Sequence, residues 1–186
     1  MKFTPDEILD AAAQLFDEQG VGVSTAKIAA AAGVSNGTLF NYFPTKQALV
    51  DSLYLQLKRE LAAALGTPDG TFEAQVRATW NRWLDWGERS PRSRRVSNLL
   101  HHSGLASADA VGEASELLGG PVALLEAGRA DGRLIDLPVD SLAALIGQQL
   151  ELALDGSSDP RHRELAFRAM WRSITPATQH NPKAAS

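Results

Sequence analysis

Between Asn36 and Tyr42 lies a short run, NGTLFNY, whose polar side chains could read another molecule. An asparagine amide can bond bidentately to adenine in the major groove, and a threonine methyl can touch the methyl of thymine. Asn36, Thr38 and Asn41 are therefore candidates for base-edge contact. Gly37 is a poor helix former, and its lack of a side chain would let a helix approach a duplex closely. Catalytic patterns are absent. The chain has no cysteine, no HExxH, no G-x-S-x-G and no glycine-rich phosphate loop, so no enzyme is expected, and neither catalytic residues nor a cofactor. His101 and His102 are neighbours and point about 100° apart on a helix, while His162 and His180 are isolated, so no metal site is expected.

The elements that must position this run are legible around it. Ser24 is a natural N-cap, and Ile28, Ala29 and Ala32 give the following helix a small apolar face. Gly33 supplies the left-handed backbone that ends that helix, and Ser35 caps the next. So short a connection forces a sharp crossing, the helix-turn-helix arrangement. The second helix should bury Leu39 and Phe43 and turn Asn36, Gly37, Thr38, Asn41 and Tyr42 outward.

The gapless pattern I-A-x-x-A-G-V-S-x-G-T-L-F-x-Y-F-P-T-K-x-A-L, from Ile28 to Leu49, resembles the DNA-binding signature of the TetR family of bacterial transcriptional regulators. The resemblance covers about the first third of the 186 residues. It implies a dimeric, all-α regulator of double-stranded DNA, most often a repressor, whose C-terminal domain binds a small-molecule effector that weakens DNA binding. It also implies phosphate contacts from Tyr42 and Lys46 and from Ser24 and Thr25 at the start of the first reading-head helix, with Ser35 opening the second. Two positions depart from the family habit. Phe40 stands where tyrosine is common, and Asn36 where lysine is frequent, which removes two potential backbone contacts.

Charge is distributed to suit this reading, although the net charge is −4. Residues 1–23 hold Lys2 against Asp6, Glu7, Asp10, Asp17 and Glu18, whereas residues 24–50 hold Lys27 and Lys46 and no acid. The basic patch is weak, so backbone amides at helix N-termini would have to supply many phosphate contacts.

The remaining sequence reads as helices throughout, without strand-like alternation or repeats. Thr4, Pro5 and Glu7 make a capping box for a first helix, with Phe3 and Ile8 as its hydrophobic staple. A helix from Thr45 to about Leu65 would connect a DNA-binding domain, residues 1–50, to a helical ligand-binding and dimerisation domain, residues 66–176, across the break Gly66-Thr67-Pro68-Asp69-Gly70. Within the second domain, helices are expected over 71–88, 91–102, 139–154 and 160–174. A stretch over 108–130 should be broken or kinked at Gly119-Gly120-Pro121. Residues 177–186 read as a disordered tail.

Trp80, Trp83 and Trp86 share one broad helix face. They fit core packing, a dimer contact, or an aromatic pocket to which Asn98, His101, His102 and Gln148 could add polar groups. Gln148, Gln149 and Glu151 interrupt an apolar helix and could face solvent, a dimer partner or a pocket. Helices from Pro138 onward are the expected homodimer interface, because too little chain follows to cover their apolar faces. The basic run Pro91 to Arg95 reads as a solvated face or a partner for the acids of the first helix. An acidic N-terminus without an apolar core is not a signal peptide, no segment is long enough for a membrane, and the absence of cysteine is compatible with a cytoplasmic location. A helical interaction module with a vestigial reading head is the competing class.

Overall fold

The computed structural model describes residues 4–156 and 159–176, and every regular element among them is an α-helix. The expected staple residue Phe3 and the tail lie outside the described residues. The first four helices are α1 (Pro5–Gln19), α2 (Thr25–Ala31), α3 (Asn36–Tyr42) and α4 (Lys46–Leu65). One device starts all four. The hydroxyls of Thr4, Ser24, Ser35 and Thr45 each accept the backbone amide three residues on, which satisfies an orphan donor of the first turn. At α1 the capping box is complete, with the Thr4 amide donating to Glu7 Oε2 at 2.8 Å.

Packing divides the chain into two units that are not contiguous in sequence. The first comprises residues up to Gly66 together with Asp85–Leu118, and the second Thr67–Leu84 together with the chain from Gly119 onward. The expected division at Gly66 is therefore one of three crossings. In the first unit, Ile8, Phe16, Ile28, Leu39, Phe43, Leu49 and Leu53 share one core with Val96 and Leu100 of α6 (Pro91–His102) and Ala110 and Ala114 of α7 (Ala108–Leu117). Polar contacts tie the same helices. Arg95 donates twice to Asp17, at 2.7 and 2.6 Å, and Arg59 pairs with Glu113 at 2.7 Å. The Ser107 amide donates to Asp51 Oδ1 at 2.9 Å.

The expected connector, α4, belongs entirely to this first unit and is buried along two rows. Leu49, Leu53, Leu57, Leu61 and Leu65 form one; Val50, Tyr54 and Lys58 form the other. Residues four apart lie one above another on a helix, so two adjacent rows let one rod pack against α1, α6 and α7 at once.

The second unit contains the larger part of α5 (Phe72–Arg89), with α8 (Gly119–Ala130), α9 (Val139–Asp155) and α10 (Pro160–Ile174). The break foreseen at Gly119-Gly120-Pro121 is real: α7 stops at Leu117 and α8 begins at Gly119, which places Pro121 in a first turn, where its missing amide is harmless. Phe72, Val76, Trp80, Leu134, Leu142, Leu150, Phe167 and Met170 fill the core. Leu152 on α9 and Leu165 on α10 stay 72% and 56% exposed.

Lys58 on α4 is an anomaly in the first unit. It is only 9% exposed, and its ammonium sits 5.1 Å from the Tyr54 ring centre, a modest cation–π contact. Tyr54 in turn bonds His101 Nδ1 at 3.1 Å. Burial pushes the lysine down from the usual 10.5 to about 8. Below pH 8 both folded and unfolded chains hold the proton, and the folded state carries the buried cation. Between about 8 and 10.5 the unfolded chain binds a proton that the folded chain has released, so stability rises with pH. Replacing Lys58 by Met should therefore stabilise the protein by about 2 kcal/mol at neutral pH. That gain should vanish above about pH 10.5, as urea denaturation at stepped pH would record. Equal stability of the two proteins at neutral pH would contradict this account.

Candidate nucleic-acid interface

The turn between α2 and α3 is fixed by backbone geometry. Gly33 takes φ 69°, a left-handed conformation open to glycine at no steric cost. Its amide donates to the Ala30 carbonyl at 3.1 Å, and the Val34 amide reaches back to Ala29 at 2.9 Å. These two bonds are the Schellman pair, and they satisfy carbonyls that the end of α2 would leave bare.

On α3 the inward and outward faces separate as the spacing requires. Leu39 is fully buried, and Phe43 just beyond the helix is buried too. Asn36, Gly37 and Asn41 are exposed, and Phe40 and Tyr42 are each 38% exposed. Thr38 is half-buried, and its hydroxyl lies 2.9 Å from Ser35 Oγ. The Ser24 and Ser35 hydroxyls are occupied as helix caps. Thr25 is half-buried in the first turn of α2. Lys46 donates to the Val21 carbonyl at 3.0 Å, which ties the start of α4 to the loop before α2. An ammonium has two further N–H groups, so this bond leaves it able to meet a phosphate.

Gly37 is the informative position. A Cβ built there would meet only Ser35 Oγ, at 3.8 Å, an ordinary contact. Its backbone is that of an ordinary helix, so neither space nor conformation inside the protein requires glycine. Phe40 and Lys27 lie outside the site residues that the sequence suggests. Both are exposed, Lys27 bonding only Gln19 Oε1, at 3.3 Å, in the first unit's reading head. Lys27 could have been picked out as the second cation of an acid-free segment.

The acids of α1 are largely engaged within the protein. Glu7 closes the capping box and Glu18 accepts from Gln14 at 2.9 Å. The Arg95 guanidinium bonded to Asp17 holds its carboxyl below the usual carboxylate range, and Arg92 adds to the effect. The expectation that the basic run 91–95 partners the acids of the first helix is met at this pair.

The residues considered for an effector pocket fall in both units. In the second, Trp80 is 2% exposed and meets the Phe167 ring edge-on at 6.2 Å, while Trp83 is half-buried and Gln148 on α9 is exposed. In the first, Trp86 is buried, Asn98 is half-buried, and His101 and His102 are exposed with ring centres 5.2 Å apart. Core packing therefore accounts for Trp80, with one reservation. Its indole nitrogen is buried and has no hydrogen-bond partner among the described residues.

Comparison with known proteins meets this geometry on the same segment. Residues 8–53 match the family model of bacterial regulatory proteins, tetR family. A crystal structure from Shewanella sp. PV-4, described as a tetR family transcription regulator, superposes with a TM-score of 0.83 at 28% identity, covering 93% of this chain and 98% of that one. One from Vibrio parahaemolyticus, described as a transcriptional regulator of the TetR family, gives 0.79 at 25%, covering 93% and 99%. A TetR family regulator from Marinobacter aquaeolei VT8 shares the fold, with a TM-score of 0.81 at 20% identity over 93% and 96%. No helix among the described residues is long and apolar enough to cross a membrane. A capped, Schellman-terminated helix-turn-helix at the matched residues, carried on a fold shared along nearly the whole chain, makes this protein similar to TetR-family transcription regulators in both its N-terminal segment and its fold.

Proposed function

We propose that the protein is a repressor that binds a palindromic operator as a homodimer, with α3 entering the major groove. The observation that carries this reading is the exposed face of α3, built around a glycine that the fold itself does not need. Asn36, Thr38 and Asn41 face base edges in this arrangement, and Tyr42, Lys46 and the start of α2 at Ser24 and Thr25 face phosphates. Twofold symmetry sets two copies of α3 in successive major grooves about 34–36 Å apart. The apolar Leu152 and Leu165, exposed on α9 and α10, support pairing through these helices.

Gly37→Ala separates DNA contact from folding. In the protein alone, the substitution adds helix propensity and should raise stability by a few tenths of a kcal/mol, up to about 0.5. Affinity for a duplex selected from genomic fragments should fall at least about tenfold, because the new methyl holds the helix off the groove. Undiminished affinity in the variant, or no enriched palindrome in the selection, would remove the major-groove assignment for α3.

Release by a small molecule is the second half of the proposal. It is supported by the Trp80 indole N–H, a buried donor left without an acceptor in the second unit. An unpaired buried donor costs about 1–3 kcal/mol, and a ligand with an aromatic body and a carbonyl acceptor would recover it. A thermal-shift screen of aromatic ketones and quinones should yield a stabilising compound that lowers operator affinity. Trp80→Phe should keep the fold and weaken that compound about tenfold, the loss of one hydrogen bond. An undiminished shift in Trp80→Phe would exclude the indole as its anchor.

A further inference from the structure

The first unit contains a cleft of about 370 Å³ that the DNA-binding reading leaves unused. Its size lies at the lower end of ordinary small-molecule sites. Carboxylates stand on α1 and α4, where Asp10, Asp17 and Glu60 line it; the guanidiniums of Arg89, Arg92 and Arg95 come from the end of α5 and the start of α6. Leu53 and Leu57 of α4 supply an apolar floor.

Asp17 and Arg95 neutralise each other at one point of this lining. The other four charges behave differently. Among the described residues neither Asp10 nor Arg92 has an ion-pair partner within bonding distance, although Arg92 acts on Asp17 from further off. Glu60 accepts only from the Gln56 amide, at 3.3 Å, and Arg89 donates Nε to the Asp85 carbonyl at 3.1 Å. Two carboxylates and two guanidiniums thus face one cavity without joining across it. A lone anion or cation would satisfy one wall and repel the other. A neutral ligand carrying both charges satisfies both.

Gln56 adds a directional cue. Its carbonyl Oε1 is buried and accepts no hydrogen bond from the described residues, although its amide nitrogen is used. The vacant acceptor stands on the acidic wall, where an incoming N–H donor would satisfy it. On the basic wall Ser90 gives α6 no side-chain cap, so first-turn amides stand beside the arginines as further donors for a carboxylate.

We propose that this cleft binds a small zwitterion, its ammonium held by Glu60, Asp10 and Gln56 Oε1 and its carboxylate by Arg89 and Arg92. The bound molecule joins α1 and α4 to the start of α6 through charges that the free protein leaves apart. The site is separate from the proposed effector anchor at Trp80, because every residue lining it belongs to the first unit.

Titration calorimetry of the full chain without DNA tests the proposal. The probes are β-alanine, γ-aminobutyrate and ε-aminocaproate, with butyrate and butylamine as single-charge controls. One chain length should bind saturably, one per chain, at least about tenfold tighter than either control. Arg92→Gln and Glu60→Gln lie on exposed side chains and should fold normally, and each should weaken that probe about tenfold. No saturation by any of the three up to about 10 mM would overturn the proposal, as would equal binding of butyrate or butylamine. Binding that survives in both folded variants would equally overturn it.

Discussion

Seven residues are too few to hold a helix in water, because nucleation fixes several residues before the hydrogen bonds repay it. Yet α3, at seven residues, is the element that the proposed DNA contact rests on. It exists only because other parts hold it. Ser35 caps its first turn, Leu39 is fully buried beneath it, and Phe43 anchors its exit. The Schellman turn at Gly33 sets where it starts relative to α2. The outward face is thereby relieved of any duty in stability, and that freedom allows asparagines, a glycine and exposed aromatics to occupy it. Each would be a poor choice in a helix that had to stabilise itself.

The same dependence explains why α4 is so heavily buried. It follows α3 after three residues and carries two rows of inward side chains, so the reading head is fixed to α1, α6 and α7 of its own unit through one rod. Rigid packing of this kind transmits displacement, since close-packed side chains cannot deform continuously. A chain break at Gly66 or within α5 says little about which helices share a core. Val96, Leu100, Ala110 and Ala114 are remote in sequence, yet they complete the hydrophobic cluster under the head.

Charge follows a similar logic. An overall acidic protein carries an acid-free segment at the proposed DNA-binding face, while the acids of α1 are turned to caps, to Arg95 and to the cleft on the head's own surface. With so few cations, the proposed DNA contact would draw on helix N-termini and short-range fit more than on bulk attraction. Lys58 shows the opposite tolerance, an ammonium kept inside the first unit against an aromatic ring.

The sequence by itself determined the local structure. N-cap residues, glycines in positive-φ turns and helix-period stripes placed most helices to within a residue or so, and the face of α3 followed from the spacing of Leu39 and Phe43. These are nearest-neighbour effects, written into a few adjacent residues. Tertiary packing decided what no local rule contains. It assigned residues 85–118 to the head, gave α4 a second buried row through Tyr54 and Lys58, whose polar ends hide their inward role, and dispersed the tryptophan and histidine set over two units. It also brought Asp10, Glu60, Arg89 and Arg92 into the lining of one cavity. Those residues are up to about eighty positions apart, and only the burial of apolar surface, which is blind to sequence distance, could bring them together.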